Sequence, residues 1–142
     1  MEDRAEQLAS ICDEYGVLEL YSFGSRGDEV RRFTRGELPS LAVSTSDIDM
    51  GARFRRDAYP SPRERVGLAF ALEDFLGAGN VDLVLLEDAS PFLALEIIRG
   101  ELLYTGDPDD QARYELFVLA RAGDLMYYER ERRKNNLAVR VP

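Results

Sequence analysis

Residues 17–26 read VLELYSFGSR, an apolar and aromatic run that stops at a Gly-Ser pair. The run predicts a β-strand over 17–23, because such residues favour a pleated, half-buried surface. A glycine directly after a strand lets a phosphate approach the backbone closely, and a serine at a helix start adds a hydroxyl and amide donors. The sequence therefore predicts an anion site at Gly24 and Ser25, with Ser25 as the N-cap of a short polar helix. A plain turn is the alternative interpretation of this pair.

A second distinctive stretch is SDIDM at residues 46–50, which begins a predicted strand that runs to Phe54. Residues i and i+2 of a strand point to the same face, so Asp47 and Asp49 would project together while Ile48 turns into the core. Two carboxylates at that spacing repel each other unless a cation lies between them. The pair predicts a cation site, and a solvated edge strand or an Asx turn is the alternative.

A third carboxylate lies inside the apolar run VDLVLL at residues 81–86, which predicts another strand. In such a strand Asp82 faces a large desolvation cost unless it is paired or bound to a metal. The alternative is an aspartate near the strand end, next to Asn80, whose side chain reaches water.

The rest of the pattern predicts a mixed α/β or α+β single domain with alternating helices and strands. Helices are predicted at 2–15, at 63–76, between Pro91 and Gly100, and from Asp107 onward; a short strand is predicted at 102–104, and residues 34–46 are the most loop-like stretch.

Composition excludes several classes of protein. The 142 residues suit one ordinary domain, no apolar stretch approaches the roughly 18 residues of a membrane span, and the first residues are not typical of a signal peptide. The single cysteine, Cys12, cannot form an internal disulfide, which favours a cytoplasmic location. Histidine is absent, so catalysis by Ser-His-Asp or Cys-His groups and His-ligated zinc are excluded.

The charge balance indicates which partners and ions the chain attracts. The net charge is −9, and 17 of the 18 basic residues are arginine. An acidic surface is repelled by a nucleic-acid backbone, so sequence-specific nucleic-acid binding is not expected. Without histidine or paired cysteines, a metal site must use carboxylate oxygens, which favour Mg²⁺ or Mn²⁺.

The predicted C-terminal helix carries more apolar residues than one buried stripe needs, between Leu116 and Tyr128. This surplus predicts a protein interface, in a homo- or hetero-oligomer. Deep burial of the helix against the back of the sheet is the alternative.

Together these features resemble the nucleotidyltransferase superfamily that includes DNA polymerase β. The resemblance covers roughly residues 1–106 and rests on FGSR at 23–26 and SDIDM at 46–50, with Asp82 on a third strand. The short length and LLYTG at 102–106 look like the minimal nucleotidyltransferase (MNT) proteins, which commonly act as antitoxins of HEPN-domain toxins.

The resemblance implies a polymerase-β-like α+β core, with a small mixed sheet flanked by helices over about 1–106 and a long C-terminal helix over about 107–134. It also implies metal-assisted nucleotidyl transfer with ATP as the donor and two Mg²⁺ ions as cofactors. Gly24 and Ser25 would seat the β- and γ-phosphates. Arg26 would add a phosphate contact, with a solvent-facing arginine as the alternative. The catalytic and metal-binding residues would be Asp47, Asp49 and Asp82.

One departure from the family pattern is the separation of the two motifs. Asp47 lies 22 positions after Ser25, more than in most such proteins, so a loop around 28–45 is enlarged. Such a loop could cover the nucleotide, contact a partner or be disordered.

The resemblance finally implies an antitoxin that transfers AMP to a tyrosine of its HEPN toxin and so silences it. One alternative is a non-catalytic antitoxin that masks the toxin by contact alone. Another is a small-molecule adenylyltransferase of the aminoglycoside type, although a single helix after the core can hardly enclose such an acceptor.

Overall fold

A four-stranded mixed sheet organises the computed structural model, which describes residues 3–140 and the side chains of residues 3–136. The strands follow the order β3-β2-β1-β4; β1 is antiparallel to both β2 and β4, and β2 is parallel to β3. Their bounds are Val17–Phe23 for β1, Ile48–Phe54 for β2, Val81–Leu85 for β3 and Glu101–Thr105 for β4.

Helices cover both faces of this sheet and form a core on each. Helices α1, α2 and α3 pack on the face that carries Leu20 and Met50, whereas α4 and α5 pack on the face that carries Tyr21. The helices are α1 at Arg4–Tyr15, α2 at Gly27–Thr34, α3 at Pro62–Leu76, α4 at Pro91–Ile98 and α5 at Pro108–Arg140, with 3₁₀ turns at Gly24–Arg26, Arg56–Ala58 and Leu86–Asp88.

The helix ends follow sequence signals. Gly16 and Gly77 end α1 and α3 in the left-handed conformation, with φ of 71° and 65°. Ser61 and Glu64 form a capping box at the start of α3. The carboxylate of Asp107 accepts bonds from two amides in the first turn of α5.

The predicted α+β fold with a small mixed sheet and a long last helix is confirmed. Ser25 as an N-cap is wrong: α2 begins at Gly27, Arg26 holds the cap position, and no side chain caps it. The segment predicted as an enlarged loop is helical up to Thr34 and irregular only from 35 to 47. One domain with a core of about 1–106 stays a prediction; α5 continues past the predicted end near 134 to Arg140.

A buried ionic network fixes α5 to the sheet. Glu19 of β1 is 1% exposed, and its Oε1 accepts bonds of 3.0 and 2.7 Å from Nε and Nη2 of Arg53, its cross-strand partner. Arg53 also pairs with Asp110 of α5, and its guanidinium lies 4.5 Å from the centre of the Tyr114 ring. Burial raises the pKa of Glu19, and Arg53 opposes that rise.

The second half of α5 is only partly covered by the rest of the protein. Val118 and Ala122 are buried, but no side chain from 123 to 136 is. Deep burial of this helix is therefore wrong, and apolar side chains stay exposed on it: Leu116, Phe117, Leu119, Met126, Tyr127 and Tyr128. Within the described residues, no helix has the length and apolarity needed to cross a membrane.

Replacing Arg53 with methionine is expected to lower the free energy of unfolding by about 3–5 kcal/mol, because it leaves Glu19 buried without its cation. Urea unfolding measures the loss. The matched control is Arg132→Met, which removes an exposed pair with Glu129 and should cost less than about 1 kcal/mol. Equal losses in the two variants would contradict the structural role of the network.

Candidate active site

Three strand ends meet at one edge of the sheet. Phe23, the last residue of β1, pairs with Asp49 near the start of β2, and Asp49 in turn pairs with Asp82 near the start of β3. Because β1 runs antiparallel to β2 and β2 runs parallel to β3, the Gly24-Ser25 turn and the aspartates lie at the same edge. The sheet therefore brings together residues that are up to 58 positions apart.

Gly24 lies directly against the Asp49 carboxylate. A Cβ built on Gly24 would lie 2.3 Å from Oδ2 of Asp49, and the φ of Gly24 is 72°, which L side chains rarely adopt. The conformation therefore favours glycine here, and any added side chain would have to displace the Asp49 carboxylate. Gly24 and Ser25 are exposed, so the turn is open to a ligand.

The predicted burial of Ile48 is confirmed, but β2 begins at Ile48, so Asp47 precedes the strand and does not share a strand face with Asp49. Ile48 and Met50 are fully buried on the face of α1 and α3. Asp49 has the opposite orientation, toward the face of α4. Two residues further on, Gly51 leaves space for Ile97 of α4, whose Cγ2 would lie 2.5 Å from an added Cβ.

Electrostatics couple the carboxylates. The pKa of Asp49 is raised first by burial, then by the negative charges of Asp82, Asp47 and Glu96. Glu96, an exposed residue of α4, was not predicted; the sequence gives no signal for it, because it acts on Asp49 only in the folded chain, where its neighbour Ile97 packs against Gly51 of β2. Asp47 and Asp82 are exposed, and Asp82 lies near a strand end as its alternative interpretation required.

The carboxylates fit a hard divalent cation by their chemistry. Among the described residues, Asp47, Asp49 and Asp82 form no ion pair, so no protein cation offsets their charge. No group of three acidic, histidine or cysteine side chains in residues 3–136 is arranged as a ready metal centre. The described residues thus place carboxylate oxygens at this edge without a preformed centre of three ligands, and the roles of the three aspartates stay a prediction.

The Arg26 side chain is buried and hydrogen-bonded within the chain. It is 7% exposed, so a solvent-facing arginine is wrong. Its guanidinium donates to the Glu29 carboxylate and to the carbonyl oxygens of Ala42 and Ser46. These bonds use donors of the guanidinium, and the predicted contact of Arg26 with phosphate stays a prediction. Sequence patterns do not show which carbonyl oxygens a long side chain will meet.

Replacing Asp82 with asparagine is expected to lower the pKa of Asp49, because removal of a neighbouring negative charge favours the ionised carboxylate. Side-chain carboxyl NMR of the metal-free protein, titrated in the presence of a chelator, measures the change. Asp13→Asn, an exposed aspartate of α1, should leave that pKa unchanged. An unaltered Asp49 titration in Asp82→Asn would show that the two side chains do not interact.

Comparison with known proteins addresses the family and the fold of the chain. A family model described as polymerase β nucleotidyltransferase matches residues 6–109. No curated protein matches the chain.

Solved structures match over nearly the full length. A chain of a doubly substituted MntA–HpeT toxin–antitoxin gives a TM-score of 0.66 at 17% identity, covering 94% of this chain and 98% of that one. A toxin–antitoxin with AMP-PNP gives 0.64 at 18% identity, covering 94% and 98%. The complex of a tri-AMPylated Shewanella oneidensis HEPN toxin with its MNT antitoxin gives 0.62 at 18% identity, covering 94% and 96%.

At these identities the structural likeness establishes the fold, and the family model covers most of the sequence. The predicted family is confirmed: this chain belongs to the polymerase β nucleotidyltransferases.

Proposed function

We propose that this chain is the antitoxin of a HEPN toxin and that it transfers AMP from ATP to a tyrosine of that toxin. The observation that carries the proposal is the likeness over 94% of the chain to chains from toxin–antitoxin complexes, one of which holds an AMPylated toxin. Membership of a nucleotidyltransferase family supplies the reaction class.

In this proposal the Gly24-Ser25 turn seats the terminal phosphates of ATP, since its backbone is exposed and has no Cβ in the way. Asp47, Asp49 and Asp82 hold two Mg²⁺ ions. When bound, these ions offset the charge of the triphosphate and of the departing pyrophosphate. The coupling of Asp49 to Asp82 and Asp47 supports this assignment.

The chemistry is one displacement at phosphorus. The tyrosine oxygen forms a bond to the α-phosphorus while the bond from that phosphorus to the bridging oxygen breaks, and pyrophosphate leaves. The hydroxyl proton passes to a carboxylate oxygen of Asp82, which is exposed and therefore accessible to an incoming acceptor.

The toxin is proposed to dock on the exposed apolar side chains of α5, which supply contact area that the chain itself leaves uncovered. A cytoplasmic location suits this proposal.

Burial raises the pKa of the Cys12 thiol to about 12, so the thiol stays protonated and unreactive.

The test of the proposal is transfer of label from α-³²P-ATP to the purified HEPN partner in the presence of Mg²⁺. Asp49→Asn is expected to lower the transfer rate at least about a hundredfold, because it removes a carboxylate from the centre of the site. Asp13→Asn, on the other side of the sheet, should transfer at the wild-type rate. Toxin inhibition without label, equal in the wild type and Asp49→Asn, would establish masking by contact instead. Label on an aminoglycoside and none on the toxin would establish a small-molecule enzyme.

Two glycines provide a sharper comparison. Gly24→Ala and Gly36→Ala both place a side chain at positive φ, 72° and 80°, and each should lose about 1–2 kcal/mol of stability. Only Gly24→Ala also displaces the Asp49 carboxylate, because an added Cβ at Gly36 meets nothing within 4 Å. Label transfer is therefore expected to fall about a hundredfold in Gly24→Ala alone. Equal activities in two folded variants would show that the contact with Asp49 is irrelevant to transfer.

A further inference from the structure

Arg26 and Glu29 form a paired unit at the start of α2. Nε of Arg26 donates to Oε1 of Glu29 at 3.0 Å, and Nη2 donates to Oε2 at 3.2 Å, so the pair is bidentate. The Arg26 side chain is 7% exposed and that of Glu29 is 24% exposed. The hydrogen bond from Arg26 is the main cause of a lowered pKa of Glu29, which keeps the carboxylate ionised.

This pair holds the end of the irregular segment 35–47. Nη2 of Arg26 donates to the Ala42 carbonyl at 2.8 Å, and Oε2 of Glu29 accepts from the Ala42 amide at 2.6 Å. Nη1 of Arg26 donates to the Ser46 carbonyl at 3.3 Å. Both backbone groups of Ala42 are therefore bound, together with the carbonyl of the residue that precedes Asp47.

The position of Arg26 in the chain connects the Gly24-Ser25 turn to the backbone that precedes Asp47. Arg26 directly follows Gly24 and Ser25, in the same 3₁₀ turn. A single side chain thus links the turn that contacts Asp49 to the backbone that carries Asp47. Between its two attachment points lies an exposed stretch at 43–45, in which Val43 is fully exposed.

The other end of the segment is held separately. Arg4 of α1 donates to the carbonyl oxygens of Phe33 at 2.7 Å and Pro39 at 2.9 Å, and also to that of Leu38. Its guanidinium lies 3.8 Å from the centre of the Phe33 ring. Arg4 is therefore an anchor for the same segment that does not touch the residues next to Asp47.

We propose that the Arg26–Glu29 pair is a positioning clamp that fixes Asp47 relative to the Gly24-Ser25 turn. The two residues act through the backbone at Ala42 and Ser46. This inference rests on the proposed function for its effect on catalysis, and on the hydrogen bonds alone for its effect on the backbone.

The clamp is tested with Arg26→Gln and Glu29→Gln, which remove its charges. Hydrogen exchange measured by mass spectrometry is expected to become about tenfold faster at residues 42–47. The affinity for Mn²⁺ alone, measured by electron paramagnetic resonance, should fall about tenfold, and the rate constant kcat of label transfer about tenfold to a hundredfold. Arg26→Lys, which keeps the charge but not the fork of donors, should give intermediate values.

Two control variants separate positioning from general loosening. Asp28→Asn breaks an exposed i,i+3 pair on the same helix and should change none of these quantities. Arg4→Gln should speed exchange near residues 38–39 while leaving Mn²⁺ affinity and kcat at their wild-type values. Because Glu29 is partly exposed, Glu29→Gln provides the test even where Arg26→Gln does not fold.

The outcomes distinguish this inference from the proposed function. Label transfer and Mn²⁺ affinity that are unchanged in the clamp variants would overturn the clamp and leave the transferase intact. If the clamp variants bind Mn²⁺ more weakly than the wild type, but the wild type transfers no label to the toxin, the transferase proposal is overturned and the clamp is supported. Unchanged exchange at 42–47 would also overturn the clamp.

Discussion

The backbone of Gly24 lies against the carboxylate of Asp49, so closely that an added Cβ would lie 2.3 Å from Oδ2 and displace it. This contact exists because β1 ends opposite Asp49 in the antiparallel ladder and the chain then turns with positive φ. The parallel strand β3 adds Asp82 to the same edge, and Ile97 of α4 packs over Gly51 on the same face. Sheet order, register and one glycine therefore define the site jointly, and a slip of one residue in β2 would move Asp49 into the core.

Much of this arrangement follows from local sequence. The Gly16 and Gly77 stops, the capping box at Ser61 and the alternation around Ile48 are short-range signals, so the elements and the shared edge could be predicted. The short polar helix after Ser25 was predicted and is present as α2, whereas two findings could not be predicted: the burial of Arg26 and the position of Glu96. Each depends on contacts between segments distant in sequence, where a pattern of residue types does not specify which carbonyl or carboxylate is met.

Arginine plays a consistent structural part in this acidic chain. Arg4, Arg26 and Arg53 each connect segments that are remote in sequence, and each uses several donors of its planar group at once. Lysine could not form such forked contacts, and the chain has a single lysine. Some of the arginines therefore form ion pairs within the fold. Among the described residues, the aspartates at the edge of the sheet form no ion pair with a basic side chain.

The length of α5 has a geometric consequence. Its 33 residues span about 50 Å, whereas the seven-residue strands of the sheet span about 23 Å, so the helix overhangs the body of the protein. A partner bound to the overhanging part of α5 would lie at a distance from the sheet that the rigid helix fixes, whereas a flexible linker would leave that distance variable. Inserting one residue before the overhang would rotate its apolar row by about 100° and advance it by about 1.5 Å. A partner that binds this apolar row would therefore depend on the register of α5.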